Sequence, residues 1–207
     1  MPRPEPARPT LAGHLFVLLL HLLPHHLLGR LAHLVTRSEW PPLKAWLVKK
    51  AIARFGVDLS TALETDPAAY PSFNAFFTRA LRHDARPIDA ADDAVCCPAD
   101  GELSEAGIVT DGRLIQAKGW DYTLLELLGG DARLAAELDG GAYATVYLSP
   151  RDYHRVHMPL GGRLRRTIHV PGRLYSVNRL TTASLPRLFA RNERVISVFD
   201  SDAGPMA

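Results

Sequence analysis

Hydrophobic positions fall into two textures along this 207-residue chain. Up to about residue 85 they recur at helical spacing; after Pro87 they come in short, Gly-punctuated runs that read as strands. Leu11–Leu34, LAGHLFVLLLHLLPHHLLGRLAHL, is strongly apolar, yet five histidines, Pro24 and Arg30 interrupt it. Its clean run is shorter than the roughly 20 apolar residues a membrane-crossing helix needs. No small-residue cleavage site marks a signal peptide, and Glu5 dilutes the positive start. On a helix, His14, His21 and His25 lie within about 40° of one another, a narrow polar stripe on an apolar cylinder. Pro24 breaks or kinks the pattern, and Leu27–Val35 resumes it with Arg30 and His33 on the polar side. The pattern predicts a pair of helices lying in a membrane surface; the alternatives are a buried helix or a dimer contact.

In PPLKAWLVKKAIARFGVD the prolines suit a helix start and Gly56 a stop, with Leu43, Trp46, Leu47, Ala51 and Phe55 at roughly helical spacing. Lys44, Lys49, Lys50 and Arg54 face either anionic lipid or plain solvent. Ser72 suits the cap of a short helix whose Phe73, Phe76, Phe77 and Leu81 share one side and read as core.

Further along, Glu102–Val109, Arg113–Ala117, Ala142–Leu148, Arg163–Val170 and Arg194–Phe199 read as strands. Thr123–Leu128 and Asp131–Leu138 read as short helices stopped by Gly129 and Gly140. No regular βαβ rhythm occurs. The fold class is therefore α+β: N-terminal amphipathic helices, then a mainly antiparallel β-rich core, with residues 1–36 as a membrane-associating segment and 37–207 as the remaining domain, helical up to about residue 85 and strand-dominated after it.

Charge and cysteine narrow the function classes. A formal charge of +2 with no long basic run argues against a nucleic-acid partner. The 20 Arg against 4 Lys reflect either codon usage or the use of Arg as the better bidentate partner for carboxylate and phosphate. The only cysteines, Cys96 and Cys97, are adjacent, which excludes a disulfide framework or a CxxC motif and suits a reducing, cytoplasm-facing compartment.

The densest chemistry lies in YLSPRDYHRVHMP, Tyr147–Pro159, where His154 and His157 alternate with Arg151 and Arg155 between Pro150 and Pro159. HxxH without a third ligand nearby is a weak zinc pattern. Ser149 lacks the GxSxG elbow of a hydrolase nucleophile. The flanking prolines disfavour one regular element, so the two histidines are expected to serve different partners. Asp100 stands in a Pro-Ala-Asp-Gly turn, a position Asp also takes simply to cap its own backbone.

From about residue 40 onward the chain resembles the bacterial phosphatidylserine decarboxylase family, pyruvoyl-dependent membrane enzymes. The resemblance rests on FNAFFTRALRHDARPID, PADG, IQAKG, YLSPRDYHRVHMP, VPGRLYSVN and LFARNERV; the fourth is long and highly specific. It implies decarboxylation of phosphatidylserine to phosphatidylethanolamine by a peripheral enzyme on the cytoplasmic side of the cell inner membrane. It further implies a homodimer of protomers, each cut by itself into a large β chain and a small α chain. In the family's terms Asp100 matches the charge-relay aspartate, His157 the self-cleavage base and His154 the histidine of the decarboxylation step. Arg151 and Arg155 are candidates for lipid phosphate or carboxylate, or for ordinary surface ion pairs. The family's cofactor is a pyruvoyl group made from a serine, whose ketone holds the substrate amine as a Schiff base and draws electrons from the breaking bond. No metal is implied.

That serine belongs to a Leu-Gly-Ser-Thr motif downstream of the GPMA-like segment. These 207 residues end on Gly204-Pro205-Met206-Ala207 and contain no such motif. The expectation is a C-terminally incomplete portion of the proenzyme that needs the α-chain segment as partner and is inactive by itself. A catalytically silent membrane-binding or partner-binding remnant is the alternative, and a zinc hydrolase on His154, His157 and Asp100 a third.

Overall fold

Proline and glycine set the ends of the first helices. In the computed structural model, which describes residues 23–91, 94–117 and 120–207, α1 spans His25–Arg37 and α2 Pro41–Phe55. Pro24 stands just before α1 rather than inside it, its carbonyl accepting from the Leu28 N–H at 3.0 Å. His14 and His21 lie outside the described residues, and so does the first of the two surface helices read from the sequence. Pro41 and Pro42 occupy the start of α2, where a missing N–H costs little, and Gly56 closes it at φ 68° with its N–H on the Ile52 carbonyl.

The described residues divide into two units by contact, those up to 29, within 104–145 and within 162–207 in one, those within 30–103 and 146–161 in the other. In the second unit, α2 packs Val48 and Ala51 with Val57, Tyr70 and Phe76 into a small core. The face expected from Trp46 and Phe55 is not the buried one: they are 56% and 42% exposed. Val48 lies about 200° round the helix from Trp46, so a helix that buries Val48 turns Trp46 outward. There Trp46 carries Lys50 Nζ 4.7 Å from its ring centre. The short helix α3, Phe73–Phe77, is capped by Ser72, whose hydroxyl accepts from the Ala75 N–H at 3.2 Å. Phe76 is fully buried, while Phe73 and Phe77 are half-buried. The 73/76/77 side is thus core at its middle and half-buried at Phe73 and Phe77.

The first unit holds most of the strand structure. Strand β1, Glu102–Ile108, which begins at the edge of the second unit, pairs with β4, Ala142–Tyr147. β2, Arg113–Ala117, pairs antiparallel with β3, Trp120–Thr123, in the register Arg113↔Thr123 and Leu114↔Tyr122. β5, Arg163–Val170, pairs antiparallel with β6, Arg194–Ser201, and β6 with β7, Gly204–Met206. Thr123 and Glu126 form a capping box at the start of α4, Leu124–Leu127, and Asp131 caps α5, Ala132–Leu138. α6, Arg179–Ser184, and α7, Leu188–Arg191, precede β6. Leu114, Tyr122, Leu134, Ile196 and Val198 form the core, each large apolar side chain worth about 1.5–3 kcal/mol when fully buried. Gly129, at φ 70°, lets the chain turn off α4 where a Cβ would stand 2.7 Å from Val170 Cγ2. The α+β class with antiparallel sheets holds.

Candidate active site

Every candidate site residue from the sequence lies in the second unit. Pro150 suits the second position of a turn over Ser149–Asp152, closed by the Asp152 N–H donating to the Ser149 carbonyl at 2.9 Å. The Asp152 carboxylate accepts from the Ser149 N–H at 2.6 Å. The Ser149 hydroxyl is buried without a hydrogen-bond partner among the described residues. After this turn the backbone runs irregularly to Pro159.

Two backbone bonds bring the PADG turn to the histidines. The His157 N–H donates to the Pro98 carbonyl at 2.7 Å, and the Cys96 N–H to the Pro159 carbonyl at 2.8 Å. Gly101 completes the approach. A Cβ there would lie 2.5 Å from the Tyr147 carbonyl oxygen, so only glycine lets the two backbones meet.

The two histidines do serve different partners. His154 Nδ1 lies 2.8 Å from the Asp152 carbonyl. A carbonyl only accepts, so Nδ1 carries a proton and Nε2 is left as the basic nitrogen of the neutral ring. The ring rests on Phe77, centroids 3.9 Å apart. His157 Nε2 instead meets the Tyr153 hydroxyl at 2.9 Å, with the rings 5.5 Å apart and 28° from parallel.

Asp100 is not hydrogen-bonded to His157. Its carboxylate is held by Arg86, whose Nε donates at 2.8 Å and 3.0 Å to the two oxygens while Nη2 donates to Oδ2. Those Arg86 bonds hold the Asp100 carboxyl below its usual range against partial burial, with smaller pulls from Arg79 and His157. His157 and Asp100 therefore interact through space in this structure.

The arginines divide. Arg155 Nε donates to the Thr78 carbonyl at 2.8 Å, while the Arg151 side chain is 68% exposed with Asp152 at 3.7 Å. Arg79 was not singled out by the sequence. It is 4% exposed, donates from Nη2 to the carbonyls of Arg151 and Asp152 at 2.8 and 3.4 Å, and leaves Nε and Nη1 without partners among the described residues. Burial lowers its pKa. Arg79 and His154 thus share the Asp152 carbonyl.

Asp100, His154 and His157 are each engaged by a different protein group, and among the described residues no three His, Cys, Asp or Glu side chains gather as metal ligands. The arrangement is one of imidazoles with a nearby carboxylate, suited to moving protons.

A family model described as phosphatidylserine decarboxylase matches residues 73–207, and a second, described as PSD, matches residues 15–56. The chain is 56% identical over 193 residues to a phosphatidylserine decarboxylase proenzyme of Azotobacter vinelandii, covering 93% of this chain and 68% of that protein. A proenzyme of the same name from Bordetella petrii is 54% identical, with 93% and 67% covered. One from Pseudomonas putida is also 54% identical, with 94% and 68% covered. The chain belongs to the phosphatidylserine decarboxylase family. It spans about two thirds of the length of these relatives.

Proposed function

We propose that the chain carries the proton-moving portion of an enzyme that decarboxylates phosphatidylserine to phosphatidylethanolamine. The observation that supports this best is the placement of Asp100, His154 and His157 in one unit, with the PADG turn joined to His157 through the Pro98 carbonyl. In this reading His157 Nε2 takes the proton of a serine hydroxyl during self-cleavage. Asp100 supports the resulting imidazolium through its negative charge, which Arg86 keeps ionised. A hydroxyl is a partner His157 Nε2 already accommodates at 2.9 Å, so the site fits a serine brought there. The pyruvoyl group made from that serine supplies the electron sink for loss of carbon dioxide. His154, its Nδ1–H pinned on the Asp152 carbonyl, offers Nε2 for proton transfer in the decarboxylation step. Arg151, 68% exposed and only loosely paired with Asp152 at 3.7 Å, can meet the headgroup phosphate or carboxylate, and Arg155 can do so from its anchor on Thr78.

The same proposal places residues 1–36 at the cytoplasmic face of the inner membrane, with residues 37–207 as the catalytic portion of a homodimeric protomer. Its support is α1, whose Leu27, Leu28, Leu31, Leu34 and Val35 are 44–68% exposed. Among the described residues no helix is long and apolar enough to cross a membrane. A surface-lying helix is consistent with that.

The Leu-Gly-Ser-Thr motif is absent from these 207 residues, so a polypeptide of this sequence alone forms no pyruvoyl group and releases no carbon dioxide from phosphatidylserine. Joining the family's Leu-Gly-Ser-Thr segment after residue 207 should restore both, read as a gel band splitting in two and as carbon dioxide release. A joined chain that splits but stays inactive on phosphatidylserine refutes the substrate. One that folds without splitting marks a silent remnant.

A further inference from the structure

His157 is the proposed base, and the inference that follows rests on that reading. Its main chain is fixed by the bond to the Pro98 carbonyl. What remains open is which ring nitrogen carries the proton, and that decides whether the ring can act. Tyr153 bears on it directly. Tyr153 is 7% exposed, and among the described residues the hydrogen-bond partner of its hydroxyl is His157 Nε2 at 2.9 Å.

Two proton arrangements fit that distance. If Nε2–H donated to the phenol oxygen, the phenolic proton would need an acceptor of its own. Arg86, in electrostatic reach of the phenol, offers only donors. A buried O–H left without an acceptor costs more than an unused lone pair, because its desolvation is never made good. The arrangement with the phenol donating to Nε2 satisfies both groups.

We propose that Tyr153 is a positioning residue that holds His157 in the tautomer with its proton on Nδ1 and its lone pair at Nε2. That is the tautomer in which an imidazole takes a proton from a hydroxyl at Nε2 while Nδ1–H is free to face a carboxylate. The phenol occupies the place from which a serine hydroxyl would donate. When the serine arrives, one O–H···N bond replaces another, and the serine O–H proton then passes to Nε2 to give imidazolium and alkoxide. No oxidant or further reactant is needed.

Magic-angle-spinning ¹⁵N spectra of the full 207-residue chain, labelled at histidine and reconstituted with phospholipid, read the tautomer without requiring cleavage. The His157 signal is assigned by its loss in His157→Gln. In alkaline buffer, with the rings neutral, the expected result is a protonated Nδ1 and a bare Nε2. Tyr153→Phe keeps the ring packing and removes only the hydroxyl. It should turn this into a mixture of tautomers, and in the joined chain slow self-cleavage on the order of tenfold, the kinetic weight of one hydrogen bond. A wild-type His157 with Nε2 protonated overturns the proposal, as does a Phe variant with unchanged tautomer or unchanged cleavage. The base role itself fails on a different result, normal cleavage by His157→Ala whatever tautomer Tyr153 sets.

Discussion

Arg86 grips Asp100 through two guanidinium nitrogens, with Nε at 2.8 Å from Oδ1 and 3.0 Å from Oδ2. The carboxylate is thereby kept charged beside His157 without touching it, and Asp100 is more acidic folded than its ordinary value of 3.8. A depressed folded pKa means stability that is present above the unfolded value and lost as pH falls through the folded one. The first prediction is therefore an acid-side loss. Stability should hold above about pH 4 and decline below it. Arg86→Ala should remove about 1 kcal/mol at neutral pH and flatten this part of the profile, since an exposed bidentate pair contributes little more. Urea unfolding of the joined chain between pH 3 and 7 measures both; an unchanged profile would mean the pair adds nothing.

Arg79 makes a different prediction. A cation 4% exposed with two nitrogens unpartnered carries a desolvation cost that its bonds to the Arg151 and Asp152 carbonyls offset only in part. Arg79→Met keeps the volume and removes the charge, so it should stay within about 1 kcal/mol of wild type. Arg79→Ala opens a cavity under the same turn and should lose about 3 kcal/mol. The ranking is read from urea midpoints, and a Met variant as unstable as the Ala variant would show that the charge itself holds the turn.

The membrane prediction concerns the exposed aromatics and leucines. Trp40 and Trp46 are 64% and 56% exposed, as are the large apolar residues of α1 at 44–68%. Deleting residues 1–36 should weaken sedimentation with anionic liposomes, and Trp40→Ala with Trp46→Ala should weaken it further. Lys44 should matter less than Lys49 and Lys50, because its Nζ already donates to the Tyr70 carbonyl at 2.8 Å. His25, counted in the polar stripe from the sequence, is instead buried, with its Nδ1–H on the Leu174 carbonyl at 3.1 Å and its ring edge-on to Tyr175. Liposome binding that survives the deletion intact would refute a surface role for this segment.

What was legible in the sequence was local. Ser72 caps the helix it suggested, Thr123 and Asp131, the first residues of two expected helices, cap them in the structure, and Gly56, Gly129 and Gly140 all take positive φ at the stops. These signals work because a cap or a turn is decided within four or five residues. β3 and β7, four and three residues long, were missed because such short strands carry too few positions for alternation to show. The family was legible through Tyr147–Pro159, but the wiring of the candidate site was not. Arg86 reaches Asp100 across 14 residues and Arg79 reaches Arg151 across 72, and no period in the sequence encodes such pairs. Tyr153 was the one near signal available, four residues before His157 in the quoted motif.

The last prediction separates the two histidines in the joined chain. His157 faces a hydroxyl at Nε2, and His154 has its Nδ1–H fixed on a backbone carbonyl and its face on Phe77. If His157 takes the serine proton, His157→Ala loses general-base assistance, typically about 10²–10⁴-fold, and the gel band should stay whole over the time wild type splits. Asp100→Asn should also process poorly, since it keeps the side chain's size but gives up the charge that supports imidazolium and the ion pair with Arg86. His154→Ala should split normally, because the His154 ring is engaged by the Asp152 carbonyl and Phe77 rather than by Tyr153. Its defect should appear later, as slow carbon dioxide release from a chain whose small fragment carries pyruvoyl by mass spectrometry. Phe77→Ala, which removes the surface under the His154 ring, should reproduce that late defect in milder form. Cleavage blocked by His154→Ala and normal in His157→Ala would reverse the two roles; normal cleavage and turnover in both would leave the histidines as structural partners of Asp152 and Tyr153.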